Sequence, residues 1–125
     1  MNVPTDLLYT SDHEWVSVVE NVATVGITDF AQRELGDIVF VEFPSLNSTV
    51  EKGQSAGTIE AVKTVADLYM PISGTIIAVN ETLDINPEAV NDTPYADGWM
   101  IKIDISSHDE ISDLLTATAY EDLIS

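Results

Sequence analysis

The stretch Gly57-Thr-Ile-Glu-Ala-Val-Lys63-Thr-Val-Ala-Asp-Leu-Tyr-Met-Pro71-Ile-Ser-Gly74 places one lysine between two strand-like runs. Gln54 to Val62 and Ala66 to Met70 carry the apolar and β-branched residues that favour strands, and Lys63 sits where they meet. Proline donates no ladder hydrogen bond, so Pro71 ends the second run, and Pro71 to Gly74 reads as a turn. Gly57 and Gly74, near the ends of this hairpin, turn a corner or admit a close strand. A lysine at a tight turn projects its stem and ammonium into solvent. Taken alone it is ordinary surface; at the tip of a hairpin in an acidic chain it offers one amine to a modifying enzyme.

Working outward, Glu14 to Val19 and Val22 to Ile27 form a hairpin joined at Glu20-Asn21. Thr28 to Leu35 reads as a short helix capped by Thr28 and stopped by Gly36, with Phe30, Ala31 and Leu35 on one face. Asp37 to Phe43 is a strand closed by Pro44, Pro44 to Ser48 is loop, and Thr75 to Asn80 is strand. Asn86 caps a single helical turn opened by Pro87. Trp99 to Ile105 alternates Trp99, Ile101, Ile103 and Ile105 inward against Met100, Lys102 and Asp104 outward. Ser107-x-x-Glu110 and Thr118-x-x-Glu121 read as capping boxes, and Ile111, Leu114 and Leu115 as an apolar stripe, which predicts two short C-terminal helices. Val, Ile and Thr supply 37 of the 125 residues, so strands dominate. The expected architecture is α+β, mainly antiparallel β, in one domain spanning 1–125.

Composition removes whole classes of function. Four basic residues against 22 acidic ones give a net charge of −18, too negative to neutralise a row of phosphates or to settle on an anionic membrane. Arg33 is the only arginine, which disfavours large anionic substrates. A field of this sign attracts basic partners. With no cysteine there is no disulfide, no thiolate nucleophile and no Cys-based zinc site. Met1 to Thr10 has neither a basic nor an apolar segment, and no apolar run approaches ~20 residues. A soluble cytoplasmic protein is expected, or a mitochondrial one if a transit peptide has been removed.

Motifs of catalysis and metal binding fail in detail. His13-Glu14-Trp15 lacks the second histidine of the H-E-x-x-H zinc signature, and a lone histidine beside a tryptophan reads as structural. Asp84, Asn86, Glu88 and Asp92 approximate calcium-loop spacing, but the mid-loop glycine is missing and Pro87 interrupts. Asp109-Glu110 and Glu121-Asp122 suit the first turns of helices. No nucleophile elbow and no glycine-rich phosphate loop is present.

The lysine hairpin resembles the lipoyl and biotinyl attachment hairpin, in which a lysine on a β-turn carries a swinging cofactor arm. Within that superfamily the chain is similar to the H proteins of the glycine cleavage system. The likeness runs through His13-Glu14-Trp15, Gly26-Ile-Thr-Asp-Phe-Ala31, Leu35-Gly36-Asp37-Ile38-Val39, Glu60-Ala-Val-Lys63 and Pro71-Ile-Ser-Gly74. It continues through Val79-Asn80, Pro87, Pro94-Tyr95 and Gly98-Trp99. Biotin carriers usually show Met-Lys-Met, and acyltransferase lipoyl domains Asp-Lys-Ala; here Lys63 lies between Val62 and Thr64. Members of the family commonly have Ser where this chain has Ala61, a departure that leaves the lysine and its turn intact.

The resemblance implies a flattened lipoyl-type β-barrel or sandwich, a barrel-sandwich hybrid built from two related halves, with short peripheral helices at the C-terminus. It implies lipoate joined to Lys63 by an amide, and a monomeric carrier that is not itself an enzyme. The implied partners are a pyridoxal-phosphate glycine decarboxylase that loads an aminomethyl group and a tetrahydrofolate-dependent aminomethyltransferase that takes the one-carbon unit. A flavin (FAD) dihydrolipoyl dehydrogenase reoxidises the dithiol, and a separate enzyme attaches the lipoate. An arm loaded with a labile amine needs shelter, which the resemblance places near His13-Glu14-Trp15. Glu14 and Asp67 are the acids expected to line that cleft. The alternatives are a β-domain of the same fold that is never lipoylated and, less favoured by the residues around Lys63, a biotin carrier.

Overall fold

The structure is a computed structural model and describes residues 1–125. Nine strands form two sheets. β1 (Leu8–Tyr9), β2 (Glu14–Val19), β3 (Val22–Ile27), β5 (Thr49–Val50), β8 (Gly74–Val79) and β9 (Ile101–Ile105) make the larger one, in the order β1-β2-β3-β9-β8-β5. β4 (Ile38–Glu42), β6 (Ser55–Ala61) and β7 (Val65–Tyr69) make the smaller one, in the order β4-β6-β7. Every pairing is antiparallel. The expected strands are present with ends moved by a residue or two, and the two sheets do not close into a barrel. They share one core, to which Val16, Val25, Ile101 and Ile103 contribute from the larger sheet and Val41, Ile59 and Leu68 from the smaller.

Period-2 burial explains β9: Ile101, Ile103 and Ile105 are buried while Asp104 is exposed. Met100 departs from the expected alternation. It precedes the strand and is fully buried, with its N–H donating to Val25 O at 2.8 Å and its carbonyl accepting from Asn80 N–H at 2.9 Å. Gly57 and Gly74 admit a close strand. A Cβ on Gly57 would stand 2.5 Å from the Glu42 carbonyl oxygen, and one on Gly74 would overlap the Asp104 carbonyl and the Ile103 side chain.

The first helix is as expected: α1 (Asp29–Leu35) is capped by Thr28, whose side chain accepts from Ala31 N–H, and it stops at Gly36. Elsewhere the helical expectations need correction. Around the single helical turn expected at Asn86-Pro87 there are two short helices, α2 (Thr82–Ile85) and α3 (Ala89–Asp92), in the connection before β9. α3 begins after Glu88, and no side chain caps it, so Asn86 does not play that part. His108–Asp113 is a 3-10 turn with no side-chain cap. Glu110 does not close a box with Ser107; its carboxylate accepts from Ser73 N–H at 2.7 Å and Ser73 O–H at 3.0 Å, which docks this turn on the end of the lysine hairpin. α4 (Ala117–Ile124) is capped by Thr116 rather than Thr118. Leu114 is extended and Leu115 bridges to Tyr9, so Ile111, Leu114 and Leu115 form no helical stripe.

A second, smaller core seats α4. Tyr120 stacks on Tyr9 with ring centroids 4.7 Å apart, and Trp15 and Ala117 complete the cluster. The chain's last helix is thereby packed beside the start of β2, where His13 and Glu14 lie.

Candidate functional site

The tip of the β6–β7 hairpin is as tight as an antiparallel pair allows. Ala61 N–H donates to Thr64 O at 2.8 Å, which leaves Val62 and Lys63 as a two-residue loop. Val62 N–H donates to Asp37 O at 3.1 Å and ties that loop to the smaller sheet's other edge. Lys63 is exposed, and alone among the four cations it has no partner. Arg33 pairs with Asp29 at 3.3 Å, Lys52 pairs with Asp113 at 2.9 Å, and Lys102 lies 5.2 Å from the Trp99 ring centroid. The Lys63 stem leans back over Gly36, where a Cβ would stand 3.5 Å from its Cε.

Between α1 and the β6–β7 hairpin opens a cleft of about 340 Å³. Phe30, Ala31 and Leu35, which share one face of α1, line it together with Ile59 and Ala66. Four carboxylate residues, Asp12, Glu14, Glu34 and Asp67, line it as well, and so does His13. Glu14 and Asp67 line the same cavity. Asp12, Phe30 and Glu34 line it too without having been singled out as site residues, and His13 belongs to the segment near which the cleft was expected. The signal of the first three was faint: Asp12 adjoins Glu14, and Phe30 and Glu34 share a helix with Leu35.

The two expected acids differ in state. Glu14 is 1% exposed, with Oε1 accepting from the Thr10 hydroxyl at 2.6 Å and Oε2 from Tyr69 N–H at 3.1 Å. That second bond caps a donor of edge strand β7 and joins the larger sheet to the smaller. Burial pushes the Glu14 carboxyl up to about 7, against the lowering effect of both hydrogen bonds. Glu14 also lines a second cavity of about 230 Å³, roofed by the Lys52–Asp113 pair. Asp67 is exposed and accepts from the Ser55 hydroxyl at 3.2 Å. Burial lowers the His13 pKa, opposed by the nearby charges of Asp12 and Glu34.

The turn presents one exposed amine without an ionic partner, the placement by which the hairpin resembles those of the lipoyl and biotinyl class. The particular member follows from likeness along the whole chain. The glycine cleavage H-protein family model matches residues 7–125. The glycine cleavage system H protein of Salinibacter ruber is 54% identical over 123 residues, covering 98% of this chain and 99% of that one. Its counterpart in Staphylococcus epidermidis is 51% identical over 124 residues, covering 99% and 98%. The crystal structure of the Mycobacterium marinum H protein superposes with a TM-score of 0.89 at 37% identity, covering 96% of this chain and 97% of that one. The chain belongs to the glycine cleavage H-protein family, and its role is that of lipoyl carrier in the glycine cleavage system.

Proposed function

We propose that Lys63 is the residue that carries lipoate, through an amide on Nζ, and that the chain itself catalyses nothing. The observation that supports this is the unpaired lysine on a two-residue turn with its stem over Gly36, where the missing side chain leaves room for an acylated lysine. Acylation removes one of four positive charges and takes the net charge from −18 to −19. When bound, lipoate supplies a sulfur nucleophile and a dithiol–disulfide couple, chemistry that a chain without cysteine cannot supply.

The chain's own residues bind and shelter. Phe30, Leu35 and Ile59 give the cleft an apolar lining against which a hydrocarbon arm loses water. Glu14 and Asp67, with Asp12 and Glu34 nearby, favour an ammonium group in the same cleft. Excluding water there slows hydrolysis of a labile cargo. The partners follow from the family: a pyridoxal-phosphate glycine decarboxylase, a tetrahydrofolate-dependent aminomethyltransferase, an FAD dihydrolipoyl dehydrogenase and an enzyme that attaches lipoate. The whole of 1–125 serves as one carrier unit.

Intact mass after incubation with a lipoate-attaching enzyme tests the assignment. One lipoyl increment is expected on the native chain and none on Lys63→Arg, which keeps charge and approximate length. A lipoyl increment on the variant would place the arm elsewhere, and a biotin increment or none on the native chain would favour the alternatives.

A further inference from the structure

The cleft wall holds a ring for which the carboxylates leave no task. His13 has left-handed backbone, φ 69°, which a residue with a side chain adopts only when its surroundings hold it there. Its carbonyl accepts Thr28 N–H at 3.0 Å, tying the entry to β2 to the cap of α1. Its ring lies 4.8 Å from Phe30 and edge-on to Tyr120 at 5.8 Å. Nδ1 is 2.9 Å from Tyr120 Oη, and Tyr120 Oη is 2.7 Å from Thr28 Oγ1. Nε2 has no protein partner, and His13 lines the cleft.

Counting protons gives this chain of bonds a direction. Thr28 and Tyr120 are both fully buried. Thr28 Oγ1 accepts Ala31 N–H at 3.2 Å, and its one other partner is Tyr120. If His13 Nδ1–H donates to Tyr120, the Tyr120 hydroxyl donates to Thr28, and the Thr28 proton is buried without an acceptor. In the reverse order Thr28 donates to Tyr120, Tyr120 donates to His13 Nδ1, and every proton is used. That order requires the imidazole proton on Nε2. A doubly protonated ring would need the first order, so the network resists protonation in the same direction as burial does. Asp12, Glu34, Glu14 and Asp67 around the cleft, and Tyr120 from α4, are the titratable groups on the other sides of the ring.

We propose that His13 is a neutral Nε2–H donor of the cleft, and that Thr28 and Tyr120 are the positioning residues that hold it so. The proposal rests on the reading of this cleft as the shelter of an amine-bearing cargo. His13 then offers its N–H to the acceptors that a loaded arm carries, the amide carbonyl and the sulfur, without adding a positive charge that competes with the ammonium for Glu14 and Asp67. Through Tyr120 the C-terminal helix becomes part of the site.

The tautomer is read by long-range proton–nitrogen NMR on the unmodified protein at pH 7.5, so the result stands whether or not Lys63 is lipoylated. The native chain is expected to show His13 Nδ1 as the unprotonated nitrogen and Nε2 as the protonated one. Tyr120→Phe keeps the ring on Tyr9 and should move both nitrogen shifts toward the average of the two tautomers; Thr28→Ser keeps the hydroxyl and should leave them in place. A native proton on Nδ1, or shifts in Tyr120→Phe identical to the native ones, overturns the proposal. On lipoylated, loaded protein, Tyr120→Phe should shorten cargo lifetime about three- to tenfold, the worth of one neutral hydrogen bond. An unchanged lifetime overturns the sheltering part.

Discussion

Lys63 Cε lies 3.5 Å from the position a Cβ on Gly36 would occupy, so the stem of the exposed lysine rests on the glycine that ends α1. Gly36 has φ 80° and ψ −156°, a combination open essentially to glycine alone. The same residue therefore terminates the helix that lines the cleft and leaves the surface beside the lysine bare. Gly36→Ala should lower stability by ~1–3 kcal/mol and reduce the rate at which Lys63 is lipoylated. Denaturant midpoints and the time course of intact mass check the two effects separately.

Glu14 should make stability fall as pH rises. Its carboxyl is raised from an ordinary 4.5 to about 7 in the folded chain, so between those values the folded state binds more protons than the unfolded state. Stability contributed by the protonated group is present below about 4.5, is lost through about 7, and is flat above. The loss amounts to about 3 kcal/mol. Glu14→Gln should flatten that part of the curve. Equal pH slopes in the two proteins, measured by urea denaturation from pH 4.5 to 8, would contradict it.

The two cleft acids should protect cargo. On lipoylated protein loaded with the aminomethyl group, Glu14→Gln with Asp67→Asn should speed spontaneous release of formaldehyde and ammonia about tenfold, the factor that ~1.4 kcal/mol corresponds to. Timing that loss without the transferase, with circular dichroism as the folding control, decides the matter. An identical lifetime would leave both acids as ordinary surface and wall.

Association with partner enzymes should be steered by charge. At −18 the chain attracts basic surfaces over distances that salt cuts to about 8 Å at physiological ionic strength. The association rate with the decarboxylase should fall on the order of tenfold between low and moderate salt, while dissociation changes less. A stopped-flow rate that ignores salt would count against it.

Strands, the turn lysine and the α1 cap were legible in the sequence because each rests on local signals. The β2–β3 hairpin, the strands flanking Lys63 and the Thr28–Gly36 helix all follow from alternation, from glycine and from a cap within a few residues of each other. The C-terminal capping boxes misled for a reason equally physical. Glu110 and Thr118 match a local pattern, but Ser73 takes the Glu110 carboxylate, and the extended Leu115 that pairs with Tyr9 is followed at once by Thr116, which caps α4 two residues before Thr118.

The sequence by itself determined that the chain is acidic, cysteine-free and strand-rich, and that one lysine sits at the tip of a hairpin. Those properties are carried by composition and by neighbours in the chain. Only the tertiary structure decided that Asp12, Glu14, Glu34 and Asp67 line one cleft, that Glu14 is buried between two cavities, and that Tyr120 reaches His13 from 107 positions away. Such relations depend on how two sheets and a C-terminal helix pack. A carboxylate's ionisation and an imidazole's tautomer are set by the atoms that packing brings within about 3 Å, whatever their separation along the chain.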